Sequence, residues 1–216
     1  MNEKKKAELK TETWEISEIL FLAQESLKII HYLLKAEEDD DVTYIKRTNA
    51  FFRYDVSIHW RVVVIELSKL FSGKANDQYN LDKFLNKLKK PGHYGDANVS
   101  EEKIANWEVE LNKEIDVITN LVKQRDGLYA HTDRKSKGFV NIVSTQKCRE
   151  LVLLVQKIVR EIYLSVFESG FQVDDPIGSP VSSLSWVIDT LAQDKKRRET
   201  SWKKIALEHG ITDEFK

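Results

Sequence analysis

Apolar residues recur along this chain at helical spacing, in long runs separated by short polar stretches. From about Lys4 to Ala36, Trp14, Ile19, Leu22, Ile29 and Leu33 share a face, which Phe21 and Ile30 widen, so a first long helix is expected. The acidic run Glu37-Glu38-Asp39-Asp40-Asp41 ends it. That run lacks the alternating ligands and the glycine of a calcium loop and reads as a solvated connection. A second helix is expected from about Thr43 to Phe71. Its stretch Arg61 to Leu67 is rich in β-branched residues and, taken alone, fits a buried strand. The flanks decide for helix, because Trp60, Val64, Leu67 and Phe71 keep helical spacing and no turn signal intervenes. Ser72-Gly73 closes this element. Asn80 then caps a short helix bearing Leu81, Phe84, Leu85 and Leu88, which Pro91-Gly92 stops.

Ser100 is a good N-cap, with Glu101 and Glu102 in the first turn, where the helix dipole favours anions. Ile104, Trp107, Leu111, Ile115, Ile118 and Val122 then form one stripe. Extended by helical steps it reaches Arg125 and Tyr129, so a helix of about 45 Å is expected from Glu101 to about His131. A loop from Asp133 to Thr145 follows. The next helix, about Gln146 to Ser169, carries Leu151, Leu154, Val155, Ile158, Ile162 and Phe167. Pro176-Ile177-Gly178-Ser179-Pro180 is the clearest linker. The pattern therefore predicts an all-α, up-and-down helical bundle of about five core helices over residues 1–175. A helical C-terminal extension over 181–216 completes it.

Composition narrows the functional classes. The chain has 216 residues, 41% of them hydrophobic and 32% charged, with a formal net charge of −1. That is enough apolar material for a core, and no run approaches the roughly 18 apolar residues of a membrane span. The charged start, Met1 to Lys10, has no apolar segment after it, so no secretion signal is expected. The one cysteine, Cys148, allows no internal disulfide and no cysteine metal cluster. These features fit the cytoplasm. A global positive field is absent, so nucleic-acid contacts would have to come from local patches. The tail offers one in Lys195, Lys196, Arg197 and Arg198, a candidate for gripping RNA phosphates that is also an ordinary solvated helix face. Trp14, Trp60 and Trp107 are expected in the core, Trp186 and Trp202 on a partner surface, and His93-Tyr94 on plain surface, with lining of a cleft as the alternative. No metal site and no cofactor loop is legible.

One stretch combines groups that can do chemistry: Arg125-Asp126-Gly127-Leu128-Tyr129-Ala130-His131-Thr132-Asp133. On a straight α-helix Arg125 and His131 stand about 120° apart. A second copy of the same helix about a two-fold axis could bring an arginine and a histidine from each chain into one cleft. Histidine near its intrinsic pKa can take a proton from a 2′-hydroxyl or return one to a leaving oxygen. Arginine can hold non-bridging phosphate oxygens. Asp126 can orient either. The plain alternative is a histidine closing a helix C-terminus and an arginine paired with an acid from another helix.

The pattern Arg125-Asp126-x-x-x-Ala130-His131-x-Asp133 resembles the signature of the HEPN superfamily, in which a histidine follows an arginine and a polar residue by four to six positions. The Arg-Asp start, the Ala-His pair and the trailing aspartate look most like its AbiU-type branch, linked to abortive infection in bacteria. The segment His59 to Phe71 and Asn80 to Leu88 is similar to that branch as well. The resemblance implies an all-helical, usually dimeric fold. It also implies Arg125 and His131 as catalytic residues, with Asp126 at the polar position, in a metal-independent endoribonuclease of a phage-defence or toxin–antitoxin system. Expected partners are a second copy docked through the 101–131 helix, RNA, and a cognate antitoxin or defence protein. Two other readings stand beside the nuclease. One is a non-catalytic dimeric module that binds RNA or protein; the other is a regulatory, antitoxin-like subunit using the basic tail.

Overall fold

The computed structural model describes residues 1–73, 79–130, 143–170 and 179–211. Among them the chain is all-α, with no strand. Helix α1 spans Glu3–Leu34, α2 Asp40–Thr48, α3 Ala50–Phe71, α4 Leu81–Leu88, α5 Glu101–Lys113, α6 Ile115–Gln124, α7 Thr145–Ile162 and α8 Pro180–Glu208. Six residues of π-helix, Arg125–Ala130, continue α6, and five more, Tyr163–Phe167, continue α7.

Two expected helices are each divided. The element expected over 43–71 breaks at Asn49, whose ψ of 119° is extended. Its side-chain oxygen accepts from the Phe51 N–H at 2.9 Å, so it restarts the chain as α3. The helix expected over 101–131 breaks at Glu114, with φ −98° and ψ 13°, where the N–H reaches back three residues to Leu111 at 3.0 Å. That tighter turn rotates the faces of α6 relative to those of α5. Ile104, Trp107 and Leu111 are buried as the stripe requires, but Ile115 is half exposed.

The helices gather into two compact units. The first comprises Met1–Leu27 and His59–Ile177, the second Lys28–Ile58 and Gly178–Lys216, so α1 and α3 each contribute to both. The expected boundary was the linker at 176–180, of which Pro176, Ile177 and Gly178 lie outside the described residues.

In the first unit, buried and partly buried polar bonds join the helices. The Trp107 indole N–H of α5 donates to Glu161 Oε2 of α7 at 2.8 Å. Gln156 of α7 donates to Gln24 of α1. Ser68 Oγ of α3 donates to the Leu121 carbonyl of α6 at 3.4 Å. Trp107 is core as expected, Trp60 is half-buried, and Trp14 is corrected to the surface at 50% exposure. Tyr94 is also a correction: it is 1% exposed. The loop after α4 folds it inward, with its N–H on the Lys87 carbonyl at 2.7 Å. Burial holds its phenol protonated above the ordinary range, and Glu12 beside the hydroxyl adds to the effect.

In the second unit Ile29, Leu33, Val42, Ile45 and Phe52 enclose Ile188 and Ala192 of α8. Lys46 is buried beside them. Its ammonium donates to Glu37 Oε1 at 2.8 Å and to the Lys35 carbonyl at 3.4 Å, and lies 3.8 Å from the Tyr32 ring centroid. These partners offset its desolvation. The Lys46 contact holds the Glu37 carboxyl below its usual range. The acidic run is more than a solvated loop. Asp39 caps α2, accepting from the Asp41 N–H at 3.0 Å, and Asp40 and Asp41 fill its first turn.

Candidate functional site

Where α6 ends, the backbone loosens from α to π bonding, and the Arg125 N–H points between the Leu121 and Val122 carbonyls. A π-turn bonds i to i+5 and so takes up an extra residue in its turn. The expected 120° offset between Arg125 and His131, drawn for a straight α-helix, therefore does not apply from Arg125 to Ala130. His131 and Asp133 lie outside the described residues.

Arg125 is held from two sides. Its Nε and Nη2 each stand 2.8 Å from Asp126 Oδ1, and Nη2 also donates to Ser72 Oγ at 3.4 Å. The guanidinium side chain is 15% exposed and that of Asp126 36%. Nη1 takes part in no hydrogen bond among the described residues. Of the two side chains that Asp126 could orient, Arg125 is in contact with it, and His131 lies outside the described residues. The sequence marks Ser72 only as the end of a helix; it is also an arginine partner. Asn80 fixes it there: its Oδ1 caps α4 through the Lys83 N–H at 2.9 Å, and its Nδ2 donates to the Ser72 carbonyl at 2.5 Å. One asparagine thus joins the end of α3 to the start of α4 beneath the arginine.

Two further residues belong to this neighbourhood. Arg61 of α3 places its guanidinium carbon 5.8 Å from the Tyr129 ring centroid, a cation–π contact on the π-turn. Gln124, fully buried just before Arg125, accepts the Val143 N–H at 3.3 Å through Oε1. The bond spans 19 residues and ties the described chain on either side of 131–142 together. An Arg and a Gln give no spacing signal on their own, and the pairing partners are far away in sequence.

The basic quartet of the tail is placed elsewhere, in the second unit. Lys195 contacts Asp41 at 2.5 Å and Glu199 at 2.7 Å, and Lys196 contacts Asp39 at 2.7 Å. Arg197 and Arg198 both pair with Asp194. Their field is locally offset, although exposed pairs are weak and exchange readily. Among the described residues no three histidine, cysteine or acidic side chains converge as a metal site, and no helix is long and apolar enough to cross a membrane.

Set beside known families, the chain matches the AbiU2 family of HEPN proteins over residues 16–181, a stretch that includes Arg125, Asp126 and His131. No curated protein and no solved structure matches it.

Proposed function

This chain belongs to the AbiU2 family of HEPN proteins, and from that premise we propose that it is a metal-independent endoribonuclease of a bacterial phage-defence or toxin–antitoxin system. The observation that carries the reading is Arg125 at the head of the π-turn, oriented by Asp126 and Ser72 with Nη1 unbonded among the described residues. A guanidinium held in this way can grip a phosphate without first losing much freedom. His131 takes the proton of a 2′-hydroxyl, and that oxygen attacks the adjacent phosphorus. The 5′ oxygen leaves and takes a proton from the imidazolium. Arg125 neutralises the charge that builds on the non-bridging oxygens. The products are a 2′,3′-cyclic phosphate and a 5′-hydroxyl end. Two chains would bring their 101–131 segments together to complete the cleft. Asp126 is a positioning residue, acting through Arg125.

Purified protein in EDTA should cleave RNA and leave cyclic phosphate ends. His131→Ala should lower the rate roughly 10²–10⁴-fold, and Arg125→Ala roughly 10²–10³-fold. Asp126→Ala should cost roughly 10- to 100-fold by misplacing the arginine. Intact RNA after incubation with the wild type would overturn the proposal.

One observation favours a second reading, a non-catalytic dimeric module that binds RNA or protein. Arg125 is largely buried and two of its nitrogens are already bonded. On that reading His131→Ala alters dimerisation or stability while no cleavage is seen in any variant.

A further inference from the structure

Helix α8 buries only part of its circumference. Ile188 and Ala192 face the core of the second unit and are fully enclosed. About 60–140° around the helix from the middle of that face, at roughly 100° per residue, a second stripe runs through Val187, Leu191, Asp194, Arg198, Trp202 and Ile205. Its apolar members stay in water: Val187 is 42% exposed, Leu191 40%, Trp202 68% and Ile205 43%. The steps of three and four residues between them are those of a helix-pairing seam. An exposed apolar seam of about 27 Å needs an occupant.

The seam is complementary to itself when reversed. Set against an antiparallel copy centred on residue 196, Val187 meets Ile205 and Leu191 meets the Ser201–Trp202 turn. Asp194 then meets Arg198. Parallel alignment would instead put Asp194 against Asp194 and Arg198 against Arg198, which like charges disfavour. Asp194, partly exposed, already pairs along its own helix with Arg197 and Arg198, and the exposed Arg198 can exchange to a neighbour at little cost. We propose that α8 pairs antiparallel with α8 of a second copy through this stripe, Asp194 of each chain meeting Arg198 of the partner subunit. The interface is isologous, so one patch serves both chains. It lies on a different helix from Arg125 and does not depend on the nuclease reading.

Sedimentation velocity of the full chain tests it. Wild type should sediment as an assembly of at least two chains. Ile205→Asp should halve that mass, and Asp194→Arg should do the same by setting arginine against arginine. The double variant Asp194→Arg with Arg198→Asp should recover the wild-type mass. Leu207→Asp, an exposed leucine on the opposite side of the helix, should leave the mass unchanged. A wild type that runs as a single chain overturns the proposal, as does an Ile205→Asp variant that keeps the wild-type mass. Equal loss from Leu207→Asp would also overturn it. Because Ile205 is exposed, its replacement leaves the helix core intact, and circular dichroism of each variant separates disassembly from unfolding. RNA cleavage by the same samples is read separately, so a failed nuclease and a failed seam give different results.

Discussion

Cys148 sits fully buried at the start of α7, and burial alone pushes its thiol up to about 12 from an ordinary 9.0. Between those values the unfolded chain releases a proton that the folded chain keeps. The stabilising contribution is therefore complete below about pH 9 and is lost as pH climbs toward 12. Urea unfolding across that window should show stability falling with pH, with a shallower fall in Cys148→Ala. The thiol should also resist aromatic disulfide reagents until the chain unfolds. At this scale the sequence was readable where partners are adjacent and opaque where they are distant. Arg125 and Asp126 are neighbours, and their pairing follows from proximity. Ser72 lies 53 residues from Arg125, and nothing in its local pattern marks it. Trp107 and Trp14 both lie on apolar stripes, yet one is enclosed and the other half exposed, since a stripe states which side is apolar and not how far cover extends along it.

Among the elements, those with strong terminal residues were legible. Asn80 and Ser100 cap α4 and α5 as their side chains predict. The divisions at Asn49 and Glu114 were not, because neither has the proline or glycine that announces a break, and the apolar spacing runs straight across them. The π-turn after α6 does contain a glycine, Gly127, but the apolar spacing runs on to Tyr129 and conceals the change of bonding. By taking up one extra residue it changes the direction of the side chains from Arg125 to Tyr129 relative to an α-helical count. The connection after α4 is a stricter case. A Cβ on Gly92 would stand 2.5 Å from the Asn86 carbonyl oxygen and 2.6 Å from those of Lys87 and Lys89. These are backbone atoms and cannot turn aside. Gly92→Ala should therefore lower stability by roughly 1–3 kcal/mol, seen as a reduced Tm. It should also loosen Tyr94, read from exposure of its ring to solvent perturbation.

For the molecule as a whole, the all-helical class followed from periodicity, while the grouping of helices did not. The pattern marked the tail as an appendage, but α8 supplies Ile188 and Ala192 to a core with Ile29, Val42, Ile45 and Phe52. Ending the chain before Pro180 should leave that core open. Amide exchange over residues 28–58 should rise strongly, while α5 and α7, joined by Trp107 and Glu161, keep their protection. A retained exchange pattern over 28–58 would show that α8 contributes little there. The division of the helices also bears on descent. Residues 28–58 begin within α1 and finish within α3, so neither compact unit is a stretch of chain that can be lifted out whole. Recombination that moved one without the other would cut two helices in mid-course. Each unit is thus closed by chain that the other must also hold in place, and no pair of cuts in loops separates them.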